Sequence, residues 1–430
     1  MRSRTGVAVL AVLLLAAAAG CGPGAAGRSS PPAGPPENHH HVMRLAAATT
    51  AQTSPRQVRA QFEQLLGLHA LLAVRQMRSV ITPAAPELKD ALGGSLRANT
   101  DALSRLVGSA YGGAQADRFT PLWQRHLVDL EAYAKGVAGK DASATQTARK
   151  LLLVDADAYG SWLAEASKGR VGASDAAAGV RMHVEELMAQ ADAYAAGDYD
   201  QAYRVERQAY EHMFTAGAGL AKASLTPEVA VGLDTPPERL RSAFAMLLGE
   251  HLELIVDAQR ATFAGAPQLQ AAGAQVNANT AALTKAMAGI VGPKKAAEFQ
   301  RAWANHVEGL MAYTAAVAAN DENAKAAATQ NLDGFAERLG LYFSDIVKNL
   351  LAAEPLTQAL TAHDTHLINH VDAYAAKDYA KAQEMELEGY GQMLEVANTL
   401  VGAIQRTVKP ELPVGGSKTG GGGTAVCRRR

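Results

Sequence analysis

Apolar residues recur at three- and four-residue spacing along nearly all of the chain between residues 55 and 408, interrupted by short breaks of Gly, Pro, Asp and Asn. That period lays one apolar stripe along an α-helix, and the two-residue alternation of a half-buried strand is absent. The pattern predicts helices over residues 55 to 81, 87 to 110, 114 to 138, 142 to 168, 175 to 196 and 199 to 223, then a second set from about 236 to 408. Ser54-Pro55 with Gln57, and Thr235-Pro236 with Glu238, read as helix starts, because a hydroxyl caps free amides and proline suits the first turn. Asp141, Asp198, Asp321 and Asp378 read as caps after tight hairpins.

The two sets are one unit used twice. Phe62-x-x-Leu65-Leu66-Gly67-x-His69 returns as Phe244-x-x-Leu247-Leu248-Gly249-x-His251, and Phe119-x-x-x-Trp123-x-x-His126 returns as Phe299-x-x-x-Trp303-x-x-His306. Ala193-Tyr194-Ala195-Ala196-x-Asp198-Tyr199 returns as Ala373-Tyr374-Ala375-Ala376-x-Asp378-Tyr379, and His183, Glu206 and Tyr210 match His363, Glu386 and Tyr390. The expected fold is all-α: two tandem homologous bundles of about six helices each, over residues 54 to 225 and 235 to 409, joined through Thr226 to Asp234. Short connections imply antiparallel neighbours, and the bundles stand end to end or side by side.

Composition agrees, with aromatics at 5% and Ala abundant. A formal net charge of −1 from 41 Lys+Arg and 42 Asp+Glu argues against nucleic acid as a partner. The two cysteines, Cys21 and Cys427, lie outside the helical body, which therefore holds no disulfide or thiolate site.

The ends carry a different message. Arg2 and Arg4 precede an apolar run from Val7 to Ala19, too short for a comfortable membrane span and arranged like a secretion signal peptide over residues 1 to 20. The sequence Ala18-Ala19-Gly20-Cys21 resembles the lipobox of bacterial lipoproteins, departing at Ala18 where that motif usually has Leu. The resemblance implies acylation of Cys21 and a chain anchored to the outer face of the cell membrane, with simple secretion as the alternative. Residues 21 to 53, rich in Gly, Pro, Ser and Ala around His39-His40-His41, read as a flexible tether, and residues 410 to 430 as a disordered Gly-rich tail.

Of the 12 histidines, six form the trio His69, His126, His183 and its copy His251, His306, His363, each on the apolar stripe of its helix. The first, third and fifth helices of an up-down bundle run parallel, and their histidines lie roughly nine to fourteen residues from the helix starts, a spread near 8 Å. One layer can hold all three. Counting the intervening helices from their opposite ends places Asn99, Asp157 and Tyr210 near that layer, matched by Asn279, Glu337 and Tyr390. Three neutral imidazoles plus the carboxylate of Asp157 or Glu337 suit a copper, zinc or iron ion. The ordinary alternative is a core histidine bonded to a neighbouring carbonyl.

Additional candidates are Glu206 and Glu386, with surface charge as their default role, and Tyr210 and Tyr390, with Trp123 and Trp303, as core. His366 and His370 extend His363 into His-x-x-His-x-x-x-His in the second unit only. Gly67 and Gly249 imply close helix approach or room for a ligand, with packing the first choice, because glycine inside a helix costs about 1 kcal/mol. No phosphate-binding loop, nucleophile elbow or paired catalytic acids occur, so hydrolase and nucleotide chemistry find no support.

With these elements in view, the chain resembles a group of secreted, internally duplicated helical proteins of Gram-positive and related bacteria, over about residues 55 to 408. Some members carry the label copper amine oxidase-like. That enzyme class builds its quinone in a β-sandwich, so an all-helical chain does not inherit the catalysis; the resemblance implies secretion and duplication, with copper as one candidate metal. The expected function is therefore non-enzymatic: an extracytoplasmic, membrane-anchored lipoprotein that binds a transition metal through a His trio in each repeat, for binding, storage or sensing. The alternative is a metal-free cell-envelope module that binds a protein partner through its helical surfaces, and a metal-dependent redox enzyme is a third reading.

Overall fold

A computed structural model describes residues 54–264, 267–348 and 351–407. Cys21, the segments read as signal peptide and tether, and the Gly-rich segment read as a tail lie outside the described residues.

The first repeat is six helices: α1 Pro55–Ile81, α2 Pro86–Tyr111, α3 Gly113–Ala138, α4 Ala142–Ala166, α5 Ala173–Ala195 and α6 Tyr199–Ser224. A short helix α7 Pro227–Ala230 and a 3-10 turn Val231–Leu233 lead to the second repeat, α8 Pro236–Ala264, α9 Leu269–Ala319, α10 Glu322–Ile346, α11 Ala353–Ala375 and α12 Tyr379–Thr407. No strand occurs among the described residues. Helix α9 is two helices joined across Gly292, whose φ of 80° breaks the ladder in the left-handed region open to glycine. Its counterpart Gly112, φ 97°, separates α2 from α3.

The caps form where the sequence places them. Ser54 and Gln57 close a reciprocal capping box, and Asp141, Asp198, Asp321 and Asp378 accept from first-turn amides. Thr235 is the exception. Its buried hydroxyl makes no hydrogen bond, and Glu238 pairs with Arg56 and Arg241 rather than completing a capping box.

In the first repeat α1 is central, packing against α2, α3, α5 and α6, while α4 covers α3 and α5. In the second, α8 packs against α9, α11 and α12. The repeats stand side by side: α6 lies against α8 and α9, and α12 against α2. One apolar core crosses the junction, joining Leu68, Leu71, Leu72 and Phe214 to Phe244, Leu252 and Tyr390. At its centre the Tyr210 and Tyr390 hydroxyls stand 3.2 Å apart. Their rings fill the space left by Gly67 and Gly249, where an added Cβ would come within 2.9 Å of Tyr210 Cε2 and 2.7 Å of Tyr210 Oη, respectively.

Next to the tyrosines runs a buried ionic network. Arg75 donates to Glu253, Asp257 and Glu386, and Arg78 to Glu206 and Asp257. Glu206 and Glu386 are thus no surface charges: they are 2% and 1% exposed. They tie α6 and α12 to the two arginines of α1, and Arg260 of α8 also donates to Glu386. Burial, opposed by Arg78, pushes Glu206 up to about 7, and burial opposed by Arg75 pushes Glu253 up to about 8.

Candidate metal centres

Because α1, α3 and α5 all touch one another, the inward histidine of each meets the other two in the bundle interior. Ring centroids of His69, His126 and His183 are 5.6 Å apart in every pair. Those of His251, His306 and His363 are 5.7, 5.7 and 5.4 Å apart, with α8, α9 and α11 as the supporting helices. In each trio one ligand atom per residue lies within 4.8 Å of the others, and every member is 3% exposed or less. Donors held about 2.0–2.1 Å from a tetrahedral ion stand roughly 3.4 Å apart, so these close by at most about 1.4 Å on an ion. Each trio can therefore hold a metal ion.

The polar atoms point the same way. Both ring nitrogens of His69, His183, His251, His306 and His363, and Nε2 of His126, are buried without a hydrogen-bond partner. An orphaned buried polar atom costs about 1–3 kcal/mol, and the alternative of core histidines bonded to carbonyls predicts none. Burial holds all six imidazoles below their ordinary range, His126 to about 4 and His363 to about 3. At neutral pH each therefore offers a lone pair.

An aromatic wall backs each trio. Trp123 stacks on Phe119 at 5.2 Å and lies 4.4 Å from His69, and Trp303 stacks on Phe299 at 5.2 Å and lies 4.7 Å from His251. The tryptophans expected as core are core, and they also form the floor of the centres.

The carboxylates expected to join the trios do not. Asp157 has a side chain 66% exposed and pairs with Arg181, and Glu337 is exposed. The axial level is right but the azimuth is wrong. The inward stripe of α4 is Leu152, Asp155, Ala156 and Tyr159, that of α10 is Leu332, Phe335, Ala336 and Leu339, and each residue turns the helix by about 100°. Asn99 and Asn279 donate to the carbonyls of Leu65 and Leu247, and so hold neighbouring helices together instead of facing the trios. Tyr210 and Tyr390 belong to the junction between repeats. Nor do the extra histidines of α11 join His363: His370 Nδ1 lies 2.9 Å from Gln259 Oε1, and His366 Nε2 lies 3.7 Å from Glu388.

Two buried acids were overlooked by inspection of the sequence. Asp364 Oδ1 lies 3.3 Å from His306 Nδ1, outside hydrogen-bonding alignment, so both ring nitrogens of His306 stay without a hydrogen-bond partner. Asp155, buried in the first repeat and paired with Arg125, is the charge that opposes the desolvation of His126. Their copies are Val184 and Phe335, so matching the halves could not reveal them; Phe335 instead stacks on His306 with centroids 4.2 Å apart. A buried acid on the inward stripe was the signal to follow.

Compared with protein-family models, curated proteins and solved structures, the chain has no match. Among the described residues, no helix is long and apolar enough to cross a membrane.

Proposed function

We propose that this protein is an extracytoplasmic lipoprotein, anchored through Cys21 to the outer face of the cell membrane, whose two repeats each bind a transition metal ion for binding, storage or sensing. The carrying observation is the convergence of neutral, buried, unpartnered imidazoles in both repeats. Three imidazoles without a thiolate or an ionised acid among them favour copper, zinc or iron over magnesium or calcium, which prefer oxygen donors. The anchor reading is supported by the apolar run that ends in Ala18-Ala19-Gly20-Cys21.

Metal analysis of the purified chain tests the proposal, with the His39-His40-His41 tract replaced so that it cannot contribute. The expected result is two equivalents of ion per chain, one in either His126→Ala or His306→Ala and none in the double variant. A chain that takes up no copper, zinc or iron on refolding overturns metal binding and leaves the metal-free envelope module. Labelling with a radioactive fatty acid, lost in Cys21→Ser, tests the anchor separately.

A further inference from the structure

The repeats differ in what lies beside their trios. In the first, His126 and His183 line a cavity of about 360 Å³ whose apolar wall includes Phe119, Trp123, Trp162 and Met213. An apolar cavity of ~150 Å³ takes benzene, so this one has room for about two rings, and it falls in the ~300–1,000 Å³ range of small-molecule sites. It reaches the surface between α5 and α6, where Asp175, Thr215 and Gly219 are exposed. One of the lining residues, Tyr159, is 5% exposed and its hydroxyl is buried with no partner. Burial keeps that phenol protonated, hence a donor.

The second repeat carries larger side chains at four of the matching positions. Ala176, Val180 and Ala216 correspond to the larger Leu356, Leu360 and Val396, and Leu163 corresponds to Phe343. Leu356, Leu360 and Phe343 are buried members of the core, with Val396 packed on it. Tyr159 corresponds to Leu339, so the unpartnered hydroxyl has no copy.

We infer that the first repeat's centre is a ligand site for a small molecule with an apolar, ring-bearing body and a nitrogen or oxygen donor, while the second repeat's centre is closed. This rests on the metal reading above. An ion on three imidazoles keeps a further coordination position, and beside His126 and His183 the molecule's donor can reach it. The body lies on the aromatic wall, and a second polar atom accepts from Tyr159.

Calorimetry with 4-phenylimidazole, on the full chain carrying two equivalents of its ion, tests this. One equivalent of probe per chain is expected although two ions are present. The variant Ala176→Leu/Val180→Leu/Ala216→Val, which gives the first repeat the second's residues, keeps both ions and weakens the probe by about tenfold or more through lost room. Tyr159→Phe weakens a probe bearing a hydrogen-bond acceptor, 4-(4-pyridyl)imidazole, by about fivefold. Two equivalents of 4-phenylimidazole, none at all, or undiminished affinity in the filled variant overturns the inference. The ion count on the same samples keeps the readings apart: no ion overturns the metal centres, whereas two ions with no probe overturns only the ligand site.

Discussion

His126 shows how much one buried side chain decides. With its charge desolvated, its pKa is held down to about 4 against an ordinary 6.5, and its five companions are shifted in the same direction. The unfolded chain therefore binds more protons than the folded one at mildly acidic pH. Stability from these groups is complete above pH 6.5 and is lost as pH falls towards 4 and below. Glu206 and Glu253, raised to about 7 and about 8, act in the opposite sense above pH 4.5, so the rings are read by difference. The urea midpoint of metal-free protein should fall more from pH 6.5 to 4 than that of His126→Gln/His306→Gln, and equal falls would contradict the buried, unpaired state of the rings. Gly67 offers a second test at this scale. Gly67→Ala should cost up to about 2 kcal/mol net, overpacking against Tyr210 of about 1–3 kcal/mol less the about 1 kcal/mol of helix propensity that alanine returns, read from the same denaturation curves, and a gain of about 1 kcal/mol would mean the tyrosine pair yields freely. The six histidines were legible in the sequence because helical period and duplication both marked them. Asp155 and Asp364 were not, since each belongs to one copy.

At the scale of the element, position along a helix was easier to read than rotation about it. Residues counted from helix starts gave the level of His69, His126 and His183 correctly, because rise per residue is nearly constant. Asp157 and Glu337 failed on rotation, since choosing among neighbouring stripes requires knowing which helices flank α4 and α10. The acids of α6 and α12 failed for a related reason. Glu206 and Glu386 belong to the ionic network in which Arg75 and Arg78 of α1 meet acids of both repeats, a contact that no single helix reveals. Arg75 compensates three acids at that contact, so Arg75→Met should destabilise the protein by about 3–5 kcal/mol, because it takes the ion-pair partner from buried Glu253 and leaves Asp257 to Arg78 and Glu386 to Arg260. A loss below about 1 kcal/mol, the range of exposed ion pairs, would show that water enters the network.

For the whole molecule, a shared core and buried ionic contacts join the two repeats. Calorimetric unfolding of the metal-free chain should give a single transition whose van't Hoff and calorimetric enthalpies agree; two resolved transitions would show that the repeats fold independently. Adding the ion at about a thousandfold over its dissociation constant should stabilise the chain by about 4 kcal/mol for each occupied site. A chelator should reverse this, and His126→Ala/His306→Ala should abolish it. Ion addition that leaves the wild-type transition in place would tell against binding to the folded state.

The sequence by itself determined the helices, their caps, the duplication and the inward setting of six histidines, because period, hydrogen-bond capping and repetition are properties of neighbouring residues along a chain. Only the tertiary structure decided which side of each helix met which partner. That choice placed Asp157 in solvent and Asp364 beside His306, buried Glu206 and Glu386, and left a cavity next to the first trio. These outcomes depend on distances between residues far apart in sequence, where a difference as small as Ala216 against Val396 helps determine whether space remains.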